Sequence, residues 1–66
     1  MIPVRSSNIA AVGYEGNTLI IAFRAGGVYA YHGVPEALFR QLLQAPSKGG
    51  FYTAFIKGKF ASNRVG

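Results

Sequence analysis

Two glycine-containing turns divide the first half of the chain into three short apolar runs, and this pattern limits the fold more than any other feature. The turns are EGN (15–17) and AGG (25–27), in which glycine and asparagine tolerate positive φ. The runs are rich in β-branched, aromatic and small apolar residues, and they cover residues 8–14, 18–24 and 28–32. Because loops this short join antiparallel neighbours, we predict a three-stranded β-meander.

The pairing of the second and third strands has two solutions. Tyr29 and Tyr31 project to the same side of the third strand. A three-residue loop pairs Phe23 with Tyr29 and places both tyrosines on the face of Leu19. A two-residue loop pairs Ala22 with Tyr29 and places them on the other face. Both solutions agree with the glycines of the turn.

Apolar residues at spacings of three and four predict a helix over residues 35–45. Its stripe consists of Leu38, Phe39, Leu42 and Leu43. Pro35 suits the first turn of a helix, since a backbone N–H there would lack a partner anyway. Glu36 then complements the positive end of the helix dipole.

A second helix is predicted after Pro46, because the Ser47 hydroxyl can cap its first turn. Its apolar positions, again at helical spacing, are Phe51, Tyr52, Phe55 and Ile56. Gly58 is expected to mark its end. The sequence therefore predicts one α+β domain over residues 1–66, in which the three-stranded antiparallel meander is followed by two α-helices packed on one face of the sheet.

All of the net charge of +5 lies in the second half of the chain. Residues 1–36 contain two arginines and two glutamates, whereas residues 37–66 contain five lysines and arginines and no acid. This asymmetry favours an acidic partner, for which nucleic acid is the usual candidate. Charge that serves only solubility fits the composition equally well.

The stretch SKGG (47–50) is a candidate anion site. If Ser47 caps the second helix, the backbone N–H groups of Lys48, Gly49 and Gly50 have no partner inside it. The helix dipole and the lysine charge would then favour a phosphate. A nucleotide-hydrolysing P-loop is excluded, because G-x-x-x-x-G-K-[ST] is absent. The alternative is that the glycines only let the second helix pack closely on the first.

Further nucleic-acid contacts are predicted from the remaining cations and from two aromatic residues. Lys57, Lys59 and Arg64 could follow a phosphate backbone, or they could be solvated cations near the end of a helix. Tyr29 and Tyr31 could stack on bases, as aromatic residues do in single-strand RNA readers. They could equally pack in the core with their hydroxyls at its rim.

The sequence favours neither catalysis nor a cofactor. His32 is the only histidine and there is no cysteine, so we expect no metal site and no disulfide. Glu36 could meet His32 across the proline turn, as a structural pair, and the serines carry no nucleophile signature. We therefore expect a protein that is not an enzyme. Because there is no signal peptide and no apolar stretch long enough to span a bilayer, we also expect it to be cytoplasmic.

The ordered motifs of this chain resemble those of the KTSC domain. They are SSNI (6–9), where the resemblance begins, GY (13–14), Tyr29-x-Tyr31, GVP (33–35) entering a helix, and SKG-x-F opening the second helix (47–51), followed by IKGKF (56–60). The resemblance covers most of residues 6–60 and is weaker over ASNRVG at the end. It implies a small bacterial domain that occurs alone and at the C-terminus of some lysyl-tRNA synthetases. It also implies a domain without catalytic residues, for which RNA binding has been suggested.

Two functions follow as hypotheses. The first is a non-catalytic module that binds RNA or tRNA through the basic second half. The second is a protein-interaction or self-association module that uses the sheet face without helices. That face would carry either Ile20, Ala22, Val28 and Ala30, or the set that includes Leu19.

Overall fold

The structure is a computed structural model that describes all 66 residues. Its elements, in chain order, are β1 (Ile2–Pro3), β2 (Ile9–Glu15), β3 (Thr18–Phe23), β4 (Val28–His32), α1 (Glu36–Gln44), α2 (Lys48–Phe55) and β5 (Ser62–Arg64). The five strands form one antiparallel sheet in the order β1-β2-β3-β4-β5. The predicted α+β class, the three meander strands and both helices are confirmed.

The sheet has five strands rather than the predicted three. The additional strands are β1, with two residues, and β5, with three, and each pairs with one edge of the meander. Their sequences, Ile-Pro and Ser-Asn-Arg, contain residues that strands generally disfavour. They are strands because the exposed edges of β2 and β4 offer backbone partners, which residue preference does not reveal.

A two-residue turn joins β2 to β3. Gly16 and Asn17 have φ values of 55° and 63°, and Glu15 pairs with Thr18 across the strand ends. Two consecutive positive φ values match the hairpin turn whose twist suits adjacent strands. The turn predicted at EGN is confirmed.

The β3–β4 register differs from both predicted pairings. Tyr29 lies opposite Ile21 and Tyr31 opposite Leu19. β3 ends one residue earlier than predicted, and the Phe23 N–H donates to the Gly27 carbonyl at 3.0 Å, so Arg24 joins the loop. The tyrosines nevertheless lie on the Leu19 face, as the three-residue loop required.

Both helices pack on that face of the sheet. The core consists of eight buried residues, and these are Ile9, Val12, Leu19, Ile21, Tyr31, Val34, Leu42 and Ile56. Leu42 comes from α1, and Ile56 directly follows α2. The opposite face of the sheet carries Ile20, Ala22, Val28 and Ala30, and no helix covers it.

The helix boundaries agree closely with the prediction. α1 begins after Pro35, and Glu36 forms an ion pair with Arg40 one turn later at 2.9 Å. α2 begins after Ser47, and Gly58 adopts a positive φ of 73° in the turn that follows the helix. Neither helix is long and apolar enough to cross a membrane.

Candidate functional site

A cleft of about 710 Å³ opens where the N-terminus of α2 meets the segment before β2. One wall is formed by residues 5–8, and the other by residues 46–50 together with Thr53 and Ala54. The lining contains two cationic side chains, Arg5 and Lys48, and no acidic one. The chain therefore brings its predicted anion site together with an arginine 43 positions earlier in the sequence.

The first turn of α2 has the predicted cap. The Ser47 hydroxyl accepts a hydrogen bond from the Gly50 N–H at 3.1 Å. The Ser47 carbonyl accepts the first backbone bond of the helix, from the Phe51 N–H at 3.0 Å. The preceding amides of Lys48 and Gly49 remain at the open end of the helix dipole, on the wall of the cleft.

Gly49 lets this helix end approach the opposite wall. A Cβ atom at Gly49 would lie 2.5 Å from the Oδ1 atom of Asn8, closer than any side chain allows. The close approach is thus between α2 and the segment before β2. This corrects the expectation that the glycines serve packing of the second helix on the first.

The wall formed by residues 5–8 is held by its own hydrogen bonds. The Ser6 hydroxyl donates to Asn8 Oδ1 at 3.1 Å and accepts from the Ile9 N–H at 3.2 Å. The Nε atom of Arg24 donates to the Ser6 carbonyl at 2.7 Å, which fixes the segment against the β3–β4 loop. The cleft is therefore a preformed feature of the fold.

Lys48 is half-buried, and its ammonium is anchored. Its Nζ atom donates to the Ala45 carbonyl at 2.7 Å, just beyond the C-terminal end of α1. An ammonium carries three donors, so two remain for a ligand. Lys48 thus holds its charge at a fixed position between the two helices.

The three other predicted cations lie outside the cleft. Lys57 and Lys59 are exposed in the turn after α2. Arg64 lies in β5 opposite Tyr29, and its Nε atom donates to the Gly66 carbonyl at 2.8 Å. The structure therefore joins Lys48, Gly49 and Gly50 in one site, but not the remaining cations.

Tyr31 is a core residue and offers no free ring face to a base. It is 4% exposed, and its hydroxyl lies 2.8 Å from the hydroxyl of Tyr52. The pKa of the Tyr31 hydroxyl is raised, mainly because the group is buried and secondly because of this hydrogen bond. Tyr29 is half-buried and meets the ring of Phe23 edge-on at 5.8 Å. The core-packing alternative is correct for Tyr31, and the stacking prediction for it is wrong.

A partly exposed aromatic pair on α2 was not recognised from the sequence. The Phe51 and Phe55 ring centroids lie 4.8 Å apart, and Phe55 is 55% exposed. Sequence analysis grouped both with Tyr52 and Ile56 on one apolar side of the helix, because apolar residues occupy a wide arc of it. The available signal was their spacing of four, separate from the Tyr52 and Ile56 pair at the same spacing.

His32 does not meet Glu36. Its Nε2 atom lies 2.6 Å from the Oδ1 atom of Asn63 in β5, whereas Glu36 pairs with Arg40. The predicted structural pair is therefore wrong, and His32 instead ties β4 to the edge strand. No group of three or more histidine, cysteine or acidic side chains is clustered in the structure.

Residues 5–60 match the KTSC domain. The chain belongs to the KTSC domain family. The crystal structure of a KTSC domain protein from Yersinia pestis is similar to it, with a TM-score of 0.93 and 45% identity. That similarity covers 97% of this chain and 93% of the other.

Two relatives show where such domains occur. A protein of Tsukamurella paurometabola is 42% identical over 62 residues, which are 91% of this chain and 92% of that protein. A lysine–tRNA ligase of Nostoc punctiforme is also 42% identical over 62 residues. This KTSC domain spans only 11% of the length of that ligase.

The matched segment contains the whole cleft. Arg5 and Asn8 lie at the start of the matched segment, and Lys48 and Gly49 lie further along it. The aromatic pair of α2 also lies within the matched segment. β1 and β5 lie outside the segment. The matched segment therefore contains the predicted meander and both helices, and Arg64 lies outside it.

Proposed function

We propose that this KTSC domain is a non-catalytic RNA-binding module whose cleft receives a backbone phosphate. The observation that carries the proposal is the convergence of Arg5, Lys48 and the open N-terminus of α2 on one cleft without an acidic side chain. Two cations and free backbone N–H groups at a helix N-terminus favour a phosphate.

The charge distribution supports a polyanionic partner. One of the two acids, Glu36, is already paired with Arg40, and the other, Glu15, is at the β2–β3 turn, outside the cleft. Lys57 and Lys59 add exposed positive charge after α2. Cations that neutralise phosphates release counterions, which is the main source of affinity in such complexes.

The relatives provide context for the choice of RNA. Lysine–tRNA ligases of Nostoc punctiforme and Trichormus variabilis contain a segment similar to this domain. A module attached to an enzyme named for tRNA has tRNA within reach. We therefore take tRNA and short single-stranded RNA as the first ligands to test.

The test is fluorescence anisotropy of labelled tRNA and of a short single-stranded RNA, at low and at physiological salt. We expect micromolar binding that weakens steeply with salt. If about four phosphates are contacted on a single strand, the log–log slope should be near −3. If neither the tRNA nor the single-stranded RNA binds at low salt, the proposal is excluded.

Variants locate the contact. Lys48→Gln and Arg5→Gln should each weaken binding, because each removes a cation of the cleft. Arg40→Gln is the matched control, since it removes one positive charge that is already paired and lies outside the cleft. Equal effects of all three would indicate a response to net charge, and would exclude the cleft as the phosphate site.

A second candidate function, self-association, is favoured by the uncovered face of the sheet. Ile20, Ala22 and Val28 lie there half-buried, with no helix over them. Apolar patches that remain accessible on a surface commonly mark protein contacts. Sedimentation at increasing concentration should show a dimer that Ile20→Glu abolishes, and a concentration-independent monomer would exclude this candidate.

A further inference from the structure

We propose that Phe51 and Phe55 form a stacking surface for an unpaired base, adjacent to the cleft that receives the phosphate. This inference rests on the proposed RNA binding and adds to it the class of ligand, a single-stranded segment rather than a duplex. It assigns to α2 the stacking function that the buried Tyr31 cannot perform.

The pair is rigid on one side and open on the other. Phe51 is half-buried and packs against the hydrophobic core. Phe55 follows one turn later, with its ring centroid 4.8 Å from that of Phe51 and the planes tilted by 40°. Phe55 remains 55% exposed. Phe55 therefore presents its ring to solvent while it contacts a ring that the core holds in place, which limits the conformational freedom lost when a base stacks on it.

The same helix carries the cleft and the aromatic pair. Gly50 and Ala54 line the cleft, and Phe51 and Phe55 are the residues that follow each of them. Lys48 precedes Phe55 by seven residues, or two helical turns, so the two share one side of α2. The helical rise places them about 10 Å apart along the axis. One strand could therefore contact both.

The surrounding charge selects the occupant. Lys57 and Lys59 lie two and four positions after Phe55, and no acidic residue occurs after Glu36. A partner that fits must combine negative charge with flat rings. Single-stranded nucleic acid does so, because every nucleotide carries a phosphate and an unpaired base. Aromatic stacking together with a basic track is how single strands are bound without strong sequence preference.

The decisive variant is Phe55→Trp. The chain contains no tryptophan, so the new indole would be the only one. We expect its fluorescence to be quenched by a short single-stranded RNA. An oligomer of the same length with abasic sugars should cause no quenching, because it supplies the phosphates without the bases.

Affinity measurements complete the test. Phe55→Ala should weaken binding of the single-stranded RNA by about tenfold and should leave the salt slope unchanged, since no phosphate contact is lost. Phe55→Leu is the matched control for apolar area without a ring, and should weaken binding similarly. Binding of the abasic oligomer should not change. Thermal melting of each variant checks that the domain is folded.

Each contrary result has its own meaning. If the protein binds RNA, but Phe55→Ala binds equally well and the indole is not quenched, the stacking surface is wrong and the RNA-binding proposal stands. If Phe55→Ala lowers the affinity for the RNA and for the abasic oligomer by the same factor, base stacking is again excluded. If the wild-type protein binds no RNA at low salt, both proposals are wrong.

Discussion

Tyr31 and Tyr52 join the sheet to α2 through their hydroxyl groups, which lie 2.8 Å apart. Their rings also meet edge-on, with centroids 5.7 Å apart. Tyr31 comes from β4 and Tyr52 from the middle of the helix that forms one wall of the cleft. The pair therefore helps to fix the position of α2, and with it the position of the candidate site.

Removal of one hydroxyl should destabilise the protein. Tyr31→Phe and Tyr52→Phe are each expected to lower the free energy of unfolding by about 1–2 kcal/mol, because each leaves its partner hydroxyl without its hydrogen bond. The double variant should cost less than the sum, since no unpaired hydroxyl remains. Urea unfolding of the four proteins measures this, and strictly additive losses would contradict the shared bond.

The raised pKa of Tyr31 predicts a loss of stability in alkali. The fold favours the protonated hydroxyl, so above the unfolded value of about 10 the folded protein retains a proton that the unfolded chain loses. The free energy of unfolding therefore falls as the pH rises above about 10, and the contribution is fully present below it. Urea unfolding from pH 8 to about 11 should show a steeper decline for wild type than for Tyr31→Phe. Parallel declines would contradict it.

Gly49→Ala should destabilise the protein although alanine favours helices. The added methyl group would collide with Asn8 Oδ1 and displace it from the Ser6 hydroxyl. We expect a loss of about 1 kcal/mol. In an Asn8→Ala background the same change should be neutral or stabilising by up to about 1 kcal/mol, because the obstacle is gone. Thermal or urea unfolding of the four proteins tests this, and an equal loss in both backgrounds would place the strain elsewhere.

The salt dependence of RNA binding should report on Lys57 and Lys59. If both contact phosphates, the double change to glutamine should make the log–log slope less steep by about 1.4. Titrations of single-stranded RNA at four salt concentrations give the slope. Arg40→Gln again serves as control, and should leave it unchanged. An unaltered slope in the double variant would exclude both lysines from the phosphate contacts.

Local sequence rules account for most of the fold. The glycine turns and the change from a period of two to a period of 3.6 placed β2, β3, β4 and both helices within one or two residues. These rules could not predict the β3–β4 register. A glycine-rich loop can join the two strands in several registers, and Arg24 could belong either to the strand or to the loop. β1 and β5 were missed because they depend on pairing with existing strand edges.

The candidate site was predictable only in its local half. Ser47 and the residues after it revealed a capped helix with open amides. The opposite wall, with Arg5 and Asn8, comes from a segment about 40 positions earlier, and only the folded sheet brings it near. Likewise, helical spacing grouped Phe55 with Ile56, although one is exposed and the other buried. Periodicity identifies an apolar arc, but not which part of a wide arc meets the core.

The two edge strands also have a mechanical consequence. β1 and β5 contain the residues nearest to the chain ends and lie at opposite edges of the sheet, about 19 Å apart across five strands. A force applied through the two ends would therefore load two- and three-residue ladders first. These would peel away while the longer β2–β3–β4 ladders still held. In a fusion under tension, residues 5–8 and α2 would bear the load next, so the cleft would open before the β2–β3–β4 meander unfolds.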